Sequence, residues 1–293
     1  MATRKHNIIK WMGLALLVMF MGIGWLIESL PSRSEIENFR PESTVSRLSQ
    51  FDWSKRAFAP VRKYVPLRQI STELRTAVLI SEDDTFFEHS GINLTELKKA
   101  FQENLKKKRY ARGASTITMQ VARNAFLTKK KTLIRKLKEI ILAKRIERIW
   151  TKQKIFEYYL NIVEWGDNIY GAEAASYFYF DKPASQINMA EATILAGMLP
   201  NPIVLNPFKN WPAVKRRQLR VLKLMRNAKL LTDEEYDNLI DTPVYLRGSQ
   251  PPIPEPIMPD SSLFDQALQD PRIPQELKQQ ADTTGIIFIP EEQ

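Results

Sequence analysis

No cysteine occurs among the 293 residues, and only two are histidine. Structural disulfides, thiolate metal sites and cysteine nucleophilic chemistry are therefore excluded. His89 has no second His or Cys nearby, so a loop-stabilising role suits it better than a zinc site. No internal repeat is visible, and few alternating apolar–polar runs occur between residues 71 and 240. That scarcity argues against a β architecture and for a domain that is almost entirely α-helical. What is present describes a globular chain, with 44% hydrophobic and 26% charged residues and length enough for one large or two small domains. The formal net charge of +10 calls for an anionic partner: nucleic acid, anionic lipid or a phosphorylated substrate.

The first residues narrow that choice. Trp11 through Ile27 carries no charge, Arg4, Lys5 and Lys10 precede it, and Glu28 follows. At ~1.5 Å per residue, and with Ile8 and Ile9 added, this run nearly crosses a ~30 Å hydrocarbon core. The lysine and arginine bias keeps residues 1–10 in the cytoplasm and sends everything beyond about residue 30 outside. A cleaved signal peptide is the rival reading, but the apolar run exceeds a typical signal core and no A-x-A site follows it. The expectation is an uncleaved single-pass anchor over residues 11–28 in the inner membrane, with a periplasmic or extracytoplasmic body. Nucleic acid then drops out as a partner, and membrane-bound phosphates better explain the basic charge.

Prolines 31, 41, 60 and 66 interrupt residues 29–70, read as a stalk and approach to the domain. A domain over 71–244 follows. Within it, Ser71 caps a helix carrying Leu74, Ala77 and Val78, and a second helix from Thr95 to Leu105 sets Leu94, Leu97, Phe101 and Leu105 beside lysines. Such a face suits the lipid surface, and equally an ordinary packed helix. Further helices are read over 132–150, from Thr151 through Leu160, over 172–179, 188–199 and 212–227, and after Thr232. Residues 245–260 form a Pro-rich linker, and 261–293 a tail of no assigned role.

Three stretches carry candidate chemistry. Glu82 and Asp83 directly follow the apolar run Ala77–Ile80, and carboxylates against a hydrophobic wall are candidates for a raised pKa; a solvated helix end fits the same residues. After Gly113, Ser115 and Thr116 precede a helical run holding Gln120 and Arg123, an arrangement that can offer N–H groups to phosphate, though a plain capped helix does so too. Lys131, Arg135, Lys136 and Lys138 surround Glu139, and Arg135, Lys138 and Glu139 recur at helical spacing, which could also be a surface ion pair.

Together these stretches resemble the glycosyltransferase domain of the peptidoglycan polymerases, the monofunctional transglycosylases and the N-terminal halves of class A penicillin-binding proteins. The family's E-D-x-x-F-x-x-H-x-G is matched by Glu82, Asp83, Phe86, His89 and Gly91, and its G-x-S-T-I-T-x-Q by Gly113, Ser115 to Thr118 and Gln120. Its R-K-x-x-E is matched by Arg135, Lys136 and Glu139; Glu157 to Asn161 and Ala174 to Lys182 resemble two further elements. Met119 departs from the pattern, standing where glutamine is more usual.

The resemblance implies an all-α fold, with a lysozyme-like lobe and a small membrane-associated jaw. It implies lipid II and the lipid-linked glycan as substrates, Glu82 as general base on the GlcNAc 4-hydroxyl, and Glu139 orienting cations and sugar. Asp83 would lie near the acceptor; Ser115, Thr116 and Gln120 would bind sugar or phosphate; Arg123, Lys131, Arg135, Lys136, Lys138 and, more weakly, Arg217 would answer the charge of the leaving pyrophosphate. No cofactor is required. Mg or Mn at the pyrophosphate is compatible chemistry, although no dedicated ligand set is visible. Fewer than 50 residues follow Val244 and hold no serine-x-x-lysine, so polymerisation without cross-linking is expected. Two other readings compete: a catalytically impaired lipid II-binding scaffold joining other cell-wall proteins through the Pro-rich tail, and a lysozyme-like hydrolase. The scaffold is favoured only by Met119, and the hydrolase gives no reason for the basic cluster.

Overall fold

The computed structural model describes residues 11, 17, 20–22, 24–54, 60–107, 115–128, 130 and 132–249, apart from the side chains of Phe101 and Asn104. Lys131, Gly113, much of the apolar segment before residue 24 and everything beyond Ser249 lie outside the described residues. Among the described residues, no helix is long and apolar enough to cross a membrane.

From residue 33 onward the α-helices of the described residues are, in order, α1 Arg33–Asn38, α2 Thr72–Glu82, α3 Leu94–Lys107, α4 Ile117–Phe126, α5 Leu133–Glu147, α6 Lys152–Ile162, α7 Ala172–Phe180, α8 Met189–Met198, α9 Trp211–Asn227 and α10 Asp233–Asp241. Side-chain oxygens cap most of their starts. Ser71, Thr116, Thr132, Thr151 and Thr232 each accept an N–H from the first turn that follows, as N-cap residues do. Asn188 and Glu191 close a reciprocal capping box on α8.

Helix α8 is buried from Ala190 to Met198, as an apolar surface on all sides requires. It packs against α2 through Leu74, Ala77 and Val78, and against α9, whose inward stripe is Val214, Gln218, Val221, Leu222 and Met225. A Cβ on Gly197 would sit 3.2 Å from the Arg217 backbone, so glycine lets α8 and α9 approach closely there. Helix α4 lies against α5 and α6. These packings hold α2 and α4, which carry the acidic and glutamine motifs, at fixed positions.

A three-stranded sheet of order β1-β3-β2 accompanies the helices. β1 is Val61–Arg62, parallel to β3, Ile169–Tyr170; β2, Glu164–Gly166, runs antiparallel to β3. Strands of two or three residues are too short to register as alternation, so the sequence reads 166–171 as a loop. Gly171 has φ +86°, and a Cβ there would lie 2.7 Å from the Asn161 carbonyl, which glycine alone avoids.

Within 29–70, read as stalk and approach to the domain, several of the described residues pack into the core. Leu30, Ile36, Leu48, Val61, Val65 and Ile70 are buried in the common core. The prolines there do not prevent packing, because α6 supplies side-chain partners for the extended backbone. Asn161 accepts from Val65 N and donates to Val65 O, both at 2.9 Å, and Glu157 accepts from Leu67 N at 2.7 Å and from the Tyr64 hydroxyl. Each such bond contributes about 1 kcal/mol, more where the acceptor is ionised. These two residues of the E-x-Y-L-N element thus do a structural task.

The apolar residues Leu133, Ile134, Leu137, Ile140, Ile141 and Ile146 sit three or four apart and predict the inward face of α5, yet of these only Ile146 is buried. Leu133, Ile134 and Leu137 are 91%, 55% and 48% exposed, whereas Glu139, Leu142, Ala143 and Ile146 are buried. The buried set follows i, i+3, i+4, i+7. Periodicity identifies residues that share a face, but not which turn a neighbour covers.

Candidate active site

Glu82 is the last residue of α2 and Asp83 its C-cap, with Asp83 N–H donating to Leu79 O at 2.8 Å. This places two carboxyls where the helix leaves the core. Burial pushes the Glu82 carboxyl above the usual carboxylate range; the hydrogen bond from Gln120 and the charges of Arg217 and Arg123 draw it partly back. Burial raises Asp83 as well, opposed first by its bond to His89.

The two carboxyls have different surroundings. Glu82 Oε2 accepts from Gln120 Nε2 at 2.7 Å. Asp83 is buried, and its oxygens are both engaged: Oδ1 and Oδ2 face His89 Nε2 at 2.9 and 3.1 Å, and Oδ2 accepts from Ile117 N at 2.9 Å. That last bond satisfies an otherwise open donor at the start of α4. His89 therefore steadies the loop through Asp83. Asp83 joins the end of α2 to the beginning of α4.

Gln120 is fixed from its other end, where Arg123 Nη2 donates to its Oε1 at 3.3 Å. Arg217 arrives from α9, its Nε donating to Gly197 O at 3.3 Å, and its positive charge acts on Glu82. A weak candidate from sequence is thus brought to the acidic residue by the close α8–α9 contact.

A second cluster forms around Glu139. Lys136 Nζ donates to Glu139 Oε2 at 3.0 Å and to Ser115 Oγ at 2.8 Å, and Arg135 Nε pairs with Glu139 Oε1 at 3.4 Å. Glu139 is 1% exposed, and these two cations are its partners in the interior. Lys138 does not join them. Its ammonium lies 5.3 Å over the Trp25 ring, and Lys136, on the neighbouring side of the helix, holds the place that spacing gave to Lys138. Thr116 is also committed elsewhere: its hydroxyl donates to Gly91 O at 2.7 Å and caps Met119 N.

Met119 is 1% exposed, so its side chain packs inward and does not line a cleft. Met119→Gln, which restores the more usual residue of the motif, buries an amide. We expect it to destabilise the protein by about 1–3 kcal/mol, measured by denaturant unfolding, unless the amide finds partners. Sequence reasoning missed Tyr159, fully buried, whose hydroxyl is raised by burial and then by the Glu82 charge. A cavity of about 500 Å³ borders the acidic block, lined by Asp84, Thr85, Glu88, His89, Asn93 and Glu96 among others. Among the described residues no three His, Asp or Glu side chains converge as a metal site.

A helical domain with a half-buried carboxyl beside arginines, and a second carboxylate held by cations, now has a sequence family to set against it. Residues 50–226 match the family described as Transglycosylase, and the chain belongs to that family. Its relatives include proteins named biosynthetic peptidoglycan transglycosylase. The one from Thiobacillus denitrificans is 42% identical over 164 residues, 56% of this chain and 69% of that protein. That from Herminiimonas arsenicoxydans is 36% identical over 217 residues, covering 73% and 90%. Among solved structures, penicillin-binding protein 1A from Haemophilus influenzae aligns with TM-score 0.40 and 20% identity, over 71% of this chain and 21% of that one.

Proposed function

We propose that this protein polymerises peptidoglycan glycan strands, transferring the growing lipid-linked glycan to the GlcNAc 4-hydroxyl of lipid II and releasing undecaprenyl pyrophosphate. The observation that carries the reading is the Glu82 carboxyl, half-buried, raised in pKa by desolvation and bonded to Gln120. A sugar hydroxyl is a poor nucleophile, and a carboxylate of raised basicity suits the removal of its proton. In the reaction the hydroxyl oxygen attacks the donor anomeric carbon as Glu82 takes its proton, and the bond to pyrophosphate breaks. Negative charge then develops on the leaving oxygens, where fixed cations are most effective.

Arg123, Lys131, Arg135, Lys136 and Arg217 supply that field in this reading, with Lys138 nearer the membrane-proximal Trp25. Glu139 keeps Arg135 and Lys136 oriented. Ser115, held by Lys136, and Gln120 contact sugar or phosphate, whereas Thr116 and Asp83 act by shaping the site. Helix α3, with Leu94 72% and Leu105 69% exposed, belongs to a membrane-associated jaw beside a lysozyme-like lobe. The apolar segment 11–28 anchors the chain in the inner membrane, with the glycosyltransferase domain outside the cytoplasm. Met119, the one feature that favoured a non-catalytic scaffold, packs inward and away from the site, which supports the catalytic reading.

Purified full-length protein given lipid II in detergent is expected to form polymer without any nucleotide sugar, resolved by gel electrophoresis of labelled glycan. Binding of lipid II without glycan formation would transfer the assignment to the scaffold.

A further inference from the structure

Glu147 is the last residue of α5 and Lys152 the first of α6. Each sits at the helix end whose dipole opposes its charge, since carboxylates favour N-termini and ammoniums C-termini. Neither is therefore placed to favour its own helix. They meet each other instead: Lys152 Nζ donates to Glu147 Oε1 at 2.8 Å, with side chains 17% and 9% exposed. The same oxygen accepts from the Thr118 hydroxyl at 2.6 Å, and Thr118 is fully buried in the first turn of α4. The Lys152 ammonium also lies 4.2 Å over the Phe86 ring, in the acidic motif.

The N-cap of α4 and the first two residues of the helix are thereby held by three separate elements. Thr116 is bonded to Gly91 O, Ile117 to Asp83 and Thr118 to Glu147. Gly91 closes the ring, because a Cβ on it would meet Ala143 O and Glu147 Cγ, each at 3.0 Å. Buried ion pairs contribute little net stability, so position is the better explanation for this one. What the clamp positions is the helix that, two residues further on, presents Gln120 to Glu82.

We infer that Glu147, oriented by Lys152, is a positioning residue that fixes the first turn of α4 through Thr118 and so sets the Gln120–Glu82 hydrogen bond. The inference rests on the glycosyltransferase reading for its kinetic consequence, but not for the clamp itself. Glu82 is faced by Asp83, by Gln120 and Arg123 of α4, by Arg217 of α9 and by Tyr159 of α6. Of these, Gln120 gives the largest opposition to its raised pKa. Loosening that bond moves the pKa further up.

The test uses the full chain with Thr118→Val, which keeps shape and the Glu147–Lys152 pair while deleting the hydroxyl. With lipid II as substrate, kcat falls about tenfold with KM little changed, as a displaced catalytic group predicts. The acid limb of the kcat/KM profile moves to higher pH, and Thr118→Ser recovers the wild-type limb. A merely structural hydroxyl would lower the melting temperature and leave the limb in place, which would overturn the inference. Amide exchange at residues 117–120 is read in parallel and should accelerate at least about tenfold in Thr118→Val. If wild-type protein makes no glycan, the polymerase reading fails by itself, and the exchange rates decide the clamp: unchanged protection overturns it.

Discussion

Glu82→Gln is expected to lower the rate of glycan formation by about 10²–10⁴, the contribution of a positioned general base. Lipid II binding should persist, because Gln keeps the volume and can still meet Gln120. The same substitution is expected to raise stability near neutral pH. Burial places the folded-state pKa of Glu82 above its unfolded value of about 4.3, so the unfolded chain gives up this proton first. Stability therefore falls as pH rises from the unfolded pKa through the folded one, and is level above it. The glutamine variant does not titrate there. Its melting temperature should match wild type below about pH 4, with a gap opening as pH climbs. A loss of rate without that gap would mean that Glu82 is not held in a desolvated site. Full activity retained would remove it from the mechanism.

Removing Glu139 should have the opposite effect on stability. Its carboxylate is 1% exposed and neutralises Arg135 and Lys136 together. Deleting one partner of a buried ion cluster leaves uncompensated charge, at a cost of about 3–5 kcal/mol for a fully buried pair. Lys136 is 39% exposed in its side chain and can turn to water, whereas Arg135 at 15% has less freedom, so the lower end, about 3 kcal/mol, is expected for Glu139→Ala. Urea unfolding reads this directly. Polymerisation should fall with it, because Lys136 also holds Ser115. A variant that melts like wild type would show that the cations are already solvated. The pair of experiments separates the carboxyls: in the proposed reading Glu82 supplies basicity at the expense of stability, while Glu139 supplies order and adds to stability.

Much of the secondary structure is legible locally. A hydroxyl before a periodic apolar run gives the starts of α2, α5, α6 and α10 correctly, and the all-round apolarity of α8 marks it as buried. These features depend on interactions within one turn, between a cap oxygen and the N–H groups just after it, so neighbouring residues suffice to specify them. The small sheet is not legible, since its pairing joins Val61 to Ile169 across the chain. Nor is the real face of α5, where the spacing that grouped Arg135, Lys138 and Glu139 held equally for Lys136.

The sequence by itself determined the helical character, the helix starts and the family motifs, because each is a local pattern. Tertiary structure alone decided the electrostatics of the site. Glu82 has a raised pKa because burial surrounds it, and the Gln120 that moderates it is 38 residues away. Arg217 reaches the same carboxyl only because Gly197 allows two helices to approach. Asp83, expected near the acceptor, also joins two helices, a task that shows only once both of its oxygens are seen to be engaged. Desolvation and charge act through space, and a linear pattern carries no record of which distant groups will share that space.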